Sequence, residues 1–350
     1  MKEPVFALTS ELVKLIAEVD EFKGRWQALK TLSPDRLNAL RKVAAVESIG
    51  SSTRIEGAKL TDVQVETLLS NLEKTSFLTR DEQEVAGYAE AMDMVFEAYA
   101  DMRITENHIR QLHQVLLRHS TKDERHRGSY KTLANNVVAF DADGKEIGVV
   151  FETATPFDTP REMEELVAWT NKAIAEESHH PLLIIAVFIV TFLAIHPFQD
   201  GNGRLSRVLT TLLLMRAGYA YVPFASLESV VEANKDFYYK ALRRTQTTLK
   251  TDNPDWMPWT GFFLRSLKKQ KDTLEARIEK ESGGSDSDDD LPEISVQVIA
   301  LLRKEGRQTP SQLARAIGAN KNTLKVRLRE LVEAGRIKRH GKARATWYSL

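Results

Sequence analysis

The sequence contains no cysteine among its 350 residues. This excludes disulfide frameworks, thiol nucleophiles and zinc sites with cysteine ligands, and it suits a reducing compartment. Long apolar runs are scarce too, since the one long run, Leu182–Ile195, has fourteen residues. Because about 20 apolar residues are needed to cross a bilayer, we interpret this run as a buried helix. Residues 1–7 show no apolar core followed by a cleavage site, so a cytoplasmic protein without membrane attachment is expected.

A net charge is also lacking, since 49 basic residues balance 49 acidic ones. The balance is a cancellation between two parts of the chain. Ile294–Leu350 contains thirteen Lys/Arg and three Asp/Glu, a net charge of +10, which leaves −10 for residues 1–293. Residues 282–292, rich in Gly, Ser and Asp, separate the two parts and predict a flexible acidic linker.

Hydrophobic periodicity predicts a mainly α-helical body. Apolar residues recur at helical spacing in residues 63–72, 82–98 and 109–117. One segment differs, because residues 135–140 and 147–151 read as two strands around a turn at 141–144. We therefore expect a β-hairpin set among helices.

The segment His196–Arg207, HPFQDGNGRLSR, carries the strongest chemical signal. The apolar helix is expected to end at His196 because Pro197 follows, and a second helix begins before Leu205. Gly201 and Gly203 are both expected to take positive φ in the connecting turn. The segment therefore predicts a helix, a tight loop and a helix.

This arrangement suits phosphate chemistry. Free N–H groups at the start of the second helix form an anion pocket. Arg204 and Arg207, three residues apart, can bind further phosphate oxygens. Asp200 can hold Mg²⁺ together with phosphates, and His196 can act as a base near neutral pH. The predicted reaction is the attack of a hydroxyl on a nucleotide phosphate.

The same twelve residues match the Fic motif, His-x-Phe-x-Asp/Glu-Gly-Asn-Gly-Arg-x-x-Arg, at all eight specified positions. The chain thus resembles Fic-domain protein adenylyltransferases, which implies a Fic-type helical bundle with a β-hairpin flap. The resemblance implies that His196 deprotonates a Ser, Thr or Tyr hydroxyl of a target protein, the chain itself included, and that AMP is transferred from ATP. Asp200 would bind Mg²⁺ or Mn²⁺. The residues implied to hold phosphates are Gly201, Asn202, Gly203, Arg204 and Arg207.

Two further regions fit the resemblance. Val137, Val138, Ala139 and Phe140 lie where the family has its flap, which pairs with the target backbone; a purely structural hairpin is the alternative. Tyr238, Tyr239 and Gln246 fall where relatives contact adenine, although tyrosines at helical spacing are more often core residues.

Upstream, Ser52-Thr53-Arg54-Ile55-Glu56-Gly57 fits the inhibitory pattern of the family, Ser/Thr-x-x-x-Glu-Gly/Asn. The resemblance implies that Glu56 pairs with Arg207 and prevents productive ATP binding, the class II arrangement, with Ser52 one helical turn away. Some such relatives also remove AMP, and the sequence leaves this open.

The basic C-terminal segment resembles a winged helix-turn-helix. Three helix-sized segments, 294–304, 309–317 and 320–334, precede a hairpin near 336–348. Lys321, Asn322, Thr323, Lys325 and Arg329, with Lys338, Arg339, Lys342 and Arg344 of the wing, would then face DNA. Protein contact is the alternative, and a homodimer stays open. The second functional hypothesis is a DNA-binding transcriptional regulator in which the Fic fold senses nucleotide.

These signals predict an N-terminal helical region at 1–105, with the inhibitory helix near 48–57, a Fic catalytic domain at 106–281, the linker at 282–292 and a winged helix at 293–350.

The remaining histidines show no metal-ligand spacing. His108, His113, His119 and His126 are expected on helix surfaces, and no zinc site is predicted.

Overall fold

The computed structural model describes residues 2–28, 33–71, 77–140, 146–284, 292–333, 335–341 and 346–350. The chain divides into two compact units, residues 1–274 and 275–350. The predicted N-terminal helical region and most of the predicted Fic domain belong to the same first unit. The described residues are mostly helical, as the periodicity predicts.

The first unit is a helical bundle. Its helices are α1 (Ser10–Ala28), α2 (Pro34–Ile55), α3 (Asp62–Leu69), α4 (Arg80–Ala98), α5 (Glu106–Leu116), α6 (Thr159–Ala175), α7 (Pro181–Ile195), α8 (Asn202–Arg216), α9 (Leu227–Ala233), α10 (Lys235–Gln246) and the first part of α11 (Met257–Gly284). Local signals explain several of the helix starts. Thr61 and Thr79 form capping boxes at α3 and α4, and Pro181 occupies the first turn of α7.

Helix α7 lies at the centre of this bundle. Its burial confirms the interpretation of the long apolar run as a buried helix. Twelve of its fifteen residues are buried, and the helix packs against α6, α8 and α10. A leucine or phenylalanine side chain contributes about 1.5–3 kcal/mol when fully buried. The end of α7 is therefore a rigid position for the motif that follows.

The predicted hairpin is present as β1 (Val137–Phe140) and β2 (Glu146–Phe151). The strands are antiparallel, and Val138 pairs with Val149. The predicted turn at 141–144 lies outside the described residues.

The second unit contains the end of α11, then α12 (Glu293–Glu305), α13 (Pro310–Ile317), α14 (Lys321–Glu333), β3 (Lys338–His340) and β4 (Trp347–Ser349). Strands β3 and β4 pair antiparallel, and Gln308 adds a bridge to Tyr348. One apolar core, which includes Leu313, Leu324 and Leu331, joins the three helices to the hairpin. The unit is a winged helix-turn-helix, as the sequence predicts.

Helix α11 continues through Gly284, three residues into the segment predicted as linker. Residues 285–291 lie outside the described residues, and Pro292 caps α12. In the part of the chain that the structure describes, every helix is too short or too polar to cross a membrane.

Candidate active site

The predicted helix, loop and helix form around the motif. Helix α7 ends at Ile195, and His196 caps it in the left-handed conformation, with φ 52° and ψ 59°. Gly201 takes φ 78° immediately before α8 begins at Asn202. A non-glycine residue with positive φ persists only where its surroundings hold it. The turn therefore fixes the direction in which the His196 side chain leaves α7.

Asn202 closes the loop on itself. Its Oδ1 accepts a hydrogen bond from the Phe198 N–H at 2.9 Å, and its Nδ2 donates to the Phe198 carbonyl at 2.7 Å. Both residues are buried. Because both polar ends of the Asn202 side chain are used within the loop, its backbone N–H is the group left to meet a phosphate.

His113 supports the loop from α5, and the expectation of a surface position for it is wrong. The side chain is fully buried and stacks on Phe198, with ring centroids 3.8 Å apart. Its Nδ1 accepts from the Gly128 N–H at 2.8 Å, and its Nε2 donates to the Asp200 carbonyl at 3.0 Å. These partners need the neutral ring, and burial lowers the pKa of His113 to about 4. Its spacing from Ile109 and Leu116 places His113 on the apolar face of α5, a signal in the sequence that the expectation overlooked.

Lys131 holds the loop from the other side and was not predicted as a site residue. Its Nζ donates to the Asn135 Oδ1 at 2.8 Å, the Thr153 Oγ1 at 2.9 Å and the Ile195 carbonyl at 2.9 Å. Asn135 Nδ2 in turn donates to the Phe198 carbonyl at 2.6 Å. Burial and three hydrogen-bond acceptors identify Lys131 as a support of the site, and neither feature can be seen in the sequence alone.

His196 is held as a neutral base. Its Nδ1 lies 3.4 Å from the Leu193 carbonyl, which can only accept, so this contact places the ring proton on Nδ1. The lone pair of Nε2 is then free. Burial, followed by the nearby Lys131 ammonium, lowers the pKa of His196 to about 4. The ring therefore stays uncharged at neutral pH.

Asp200 and Arg204 form the charged part of the loop. The Asp200 Oδ1 accepts from the Gly201 N–H at 2.6 Å and from Arg204 Nη2 at 3.3 Å. Burial would raise the pKa of Asp200, but Arg204, the Gly201 N–H and Arg80 together hold it below the usual range. Arg204 is buried and also lies 3.3 Å from Glu84 on α4. The carboxylate is thus ionised beside the cavity.

Arg207 is bound by the end of α2. The Nε of Arg207 donates to the Ser52 Oγ at 2.8 Å, and its Nη2 donates to the Ser52 carbonyl at 2.9 Å and to the Glu56 Oε1 at 2.8 Å. The Arg207 side chain is buried, whereas a third of the Glu56 side chain is exposed. Burial would raise the pKa of Glu56, but Arg207 with Arg204 outweighs it and keeps the pKa below its usual range. This set of contacts is called the latch below.

Arg54, two residues before Glu56, fixes the same turn of α2. Its Nε and Nη2 donate to the two carboxylate oxygens of Glu232 on α9, at 2.7 and 3.0 Å. Its Nη1 donates to the Asp62 Oδ1 at 2.8 Å. Arg54 lies inside the inhibitory pattern, at a position that the pattern does not specify.

Gly203 has a role in the structure that differs from the predicted one. It lies within α8 rather than at positive φ, so the expected backbone role is wrong for this glycine. A Cβ at position 203 would overlap the Glu56 carboxylate. The missing side chain therefore makes room for Glu56 beside Arg207.

These groups border a cavity of about 320 Å³. The predicted residues that line it are Glu56, His196, Asp200, Gly201, Asn202, Gly203, Arg204, Tyr238, Tyr239 and Gln246. Tyr239 is 40% exposed, whereas Tyr238 and Gln246 are buried. Among the described residues Arg207 is not part of this lining, because Glu56 stands in front of its guanidinium. The volume lies within the range of small-molecule pockets.

The residues of the site can hold a metal ion only if substrate phosphates supply further ligands. No group of three or more His, Asp or Glu able to hold a metal is found among the described residues. Asp200 presents an ionised carboxylate whose Oδ2 has only distant cations, Arg80 at 3.5 Å and Lys122 at 3.9 Å. Mg²⁺ is commonly bound by one or two carboxylates together with substrate phosphates. Asp200 fits that role.

The hairpin adjoins the cavity through Phe151, the last residue of β2, and Asn136, which precedes β1. The side chains of the predicted flap residues Val137, Val138, Ala139 and Phe140 lie outside the described residues. Their role in binding a target backbone stays a prediction.

In the second unit, α14 carries five of the predicted DNA-facing residues at exposed positions. Lys321, Asn322, Thr323, Lys325 and Arg329 are all exposed, as are Lys338 and Arg339 of β3. Lys342 and Arg344 lie outside the described residues.

Each of the two units matches a known protein family. Residues 103–214 match the Fic/DOC family, and residues 291–338 match a winged helix-turn-helix DNA-binding family. The protein adenylyltransferase Fic of Drosophila persimilis is 29% identical over 217 residues, 60% of this chain and 40% of that protein. That of Drosophila grimshawi is 30% identical over 185 residues, 52% of this chain and 35% of that protein. The chain thus spans about two fifths or less of these relatives.

Solved structures show the same fold. A Fic family protein from Desulfovibrio desulfuricans G20 aligns with a TM-score of 0.68 at 23% identity, covering 100% of this chain and 98% of that one. Fic-1 of C. elegans, residues 134–508, aligns with a TM-score of 0.58 at 20% identity over 79% of this chain and 73% of that one. The chain therefore contains a Fic domain, followed by a C-terminal winged helix-turn-helix.

Proposed function

We propose that this protein transfers AMP from ATP to a Ser, Thr or Tyr hydroxyl of a target protein and that Glu56 restrains this activity. One observation carries the proposal: the Glu56 carboxylate binds the buried Arg207 at 2.8 Å within an otherwise complete set of Fic motif residues. The relatives named as protein adenylyltransferases support the reaction class.

The site residues account for the chemistry as follows. The target hydroxyl loses its proton to the free Nε2 of His196, and its oxygen attacks the α-phosphorus of ATP. A new oxygen–phosphorus bond forms, the bond to the β-phosphate bridging oxygen breaks, and pyrophosphate leaves. Backbone N–H groups at the start of α8 and the Arg204 guanidinium stabilise charge on the phosphates. Mg²⁺ on Asp200 would neutralise further phosphate charge when bound.

The restraint follows from competition for one guanidinium. Arg207 is the cation of α8 that can take the terminal phosphate, but Glu56 and Ser52 occupy its Nε and Nη2 donors in the restrained state. The phosphate would also meet the negative charge of Glu56. ATP must therefore bind in another orientation unless Glu56 moves away.

The test is incubation with labelled ATP and Mg²⁺. Glu56→Gly should increase labelling of the protein itself and of lysate proteins, and adding His196→Ala to that variant should abolish it. Labelling that is unchanged by both substitutions would exclude the proposal. Release of AMP from purified labelled protein by the wild type would show whether the same site also removes AMP.

DNA binding is a second candidate function, favoured by the exposed cations of α14. Lys325→Glu with Arg329→Glu should weaken binding of a labelled duplex and flatten its salt dependence. Lys304→Glu, a charge reversal at an exposed lysine of α12, is the control. Equal duplex binding by all three proteins would show that α14 does not contact DNA.

A further inference from the structure

A second, larger cavity lies beside the candidate active site. It has a volume of about 540 Å³ and is lined by residues of α9, α10 and α11. Helix α10 separates the two sites, since Tyr239 and Gln246 line the first cavity and Lys240 and Arg244 line the second. We call the second cavity the basic groove.

The basic groove is defined by four cations, Lys240 and Arg244 of α10 and Arg265 and Lys269 of α11. Each pair is spaced four residues apart, so both side chains of a pair leave the same face of their helix. All four are exposed, and no carboxylate lines the groove among the described residues.

Few of these charges are neutralised within the protein. Arg265 pairs with Glu11 at 2.6 Å. In the part of the chain that the structure describes, Lys240, Arg244 and Lys269 have no carboxylate within ion-pair distance. Three cations without an ion pair and the paired Arg265 surround one cleft and create a positive potential there, although residues 1–293 carry a net charge of −10.

The surface between the cations is apolar. Phe237 is 67% exposed at the edge of the groove, and the other apolar lining residues are Val230, Ala241, Pro258 and Phe262. An exposed phenylalanine next to arginine is the composition enriched at protein-binding surfaces.

We propose that the basic groove binds an acidic segment of a partner protein, whose apolar side chains contact Phe237 and the apolar lining. Charge complementarity and the apolar lining argue for this occupant together. A nucleotide is disfavoured because the described lining of the groove offers no carboxylate to hold the Mg²⁺ that accompanies nucleotide phosphates. A nucleic acid is disfavoured because its phosphates would extend beyond the groove onto a body of net negative charge.

The test uses the full-length protein and a fluorescein-labelled peptide in which pairs of Glu alternate with single Leu residues. Anisotropy should show binding that weakens with added salt. Lys240→Glu with Lys269→Glu should weaken binding by roughly 10- to 100-fold at low salt. Lys42→Glu with Lys172→Glu, two exposed lysines outside the groove, changes the net charge equally and should have little effect.

Phe237→Ala should also weaken binding of the acidic peptide. A peptide with Gln in place of Glu should not bind. Equal binding by the groove variant and the matched control would overturn the proposal. So would groove-dependent binding of ATP, inorganic polyphosphate or a labelled DNA duplex without binding of the acidic peptide. Because the peptide assay contains no nucleotide, its result is independent of AMP transfer.

Discussion

Arg54 offers a way to release the latch without touching Glu56 or the Fic motif. Its guanidinium holds the last turn of α2 against Glu232 of α9 and Asp62 of α3. If this turn moves when Glu56 leaves Arg207, the Arg54 contacts break at the same time. Replacing Arg54 by Met would then lower the free energy needed to reach the released state.

The magnitude follows from the geometry of the pair. A charge-assisted, two-pronged hydrogen bond contributes about 1.5–3 kcal/mol when buried. The Arg54 and Glu232 side chains are 23% and 30% exposed, so solvent reduces this contribution. We therefore take about 1–2 kcal/mol, which predicts that Arg54→Met raises AMP transfer by about 5- to 30-fold.

The assay is self-labelling with labelled ATP, measured for Arg54→Met, Glu56→Gly and the double variant. Because both substitutions release the same latch, the double variant should be no faster than Glu56→Gly alone. Asp62→Ala removes only the partner that is 51% exposed and should change the rate little. Thermal melting of each variant shows whether a change in rate comes from release of the latch or from unfolding of the protein.

An unchanged rate in Arg54→Met, with its fold intact, would refute this reasoning. That result would mean that Glu56 leaves Arg207 by rotation of its own side chain while α2 stays in place. Fully additive increases in the double variant would also contradict a shared latch.

Further predictions concern the supports of the site. Gly87→Ala should destabilise the protein by about 2–4 kcal/mol in denaturant melts, because a Cβ there would overlap the Leu116 carbonyl. The pKa of His113 is about 4 in the folded protein and about 6.5 unfolded, so the unfolded state binds more protons between these values. Stability should therefore fall as pH decreases from about 6.5 to about 4, by up to about 3 kcal/mol, and His113→Gln should show a smaller pH dependence. Lys131→Met should lower kcat more than it changes KM for ATP. It should also move the acid limb of the pH–rate profile to higher pH, because the Lys131 ammonium helps to lower the pKa of His196.

The sequence predicted those features that depend on local order or on a contiguous motif. The buried α7, its end beside His196, the hairpin and the winged helix follow from apolar runs, proline, glycine and turn residues. The pairing of Glu56 with Arg207 spans 151 positions, and only the family resemblance connected the two residues.

The supports of the site could not be predicted in this way. His113 and Lys131 act through contacts with residues distant in sequence. The apolar spacing of Ile109 and Leu116 indicates that His113 is buried, but it does not show which loop His113 supports. Gly203 was predicted from backbone conformation, yet the decisive fact is the position of a carboxylate from another helix. Such roles arise only when several elements pack together.

The space beside Gly203 also bears on how such a chain can change over evolution. Position 203 holds only a hydrogen while Glu56 rests against Arg207, since a Cβ would overlap the carboxylate. A chain of this design could not acquire a side chain at position 203 and keep the Glu56 carboxylate in its present place. Self-restraint by this glutamate therefore limits position 203 to glycine, and a larger residue there would have to be accompanied by a shorter or displaced side chain at position 56.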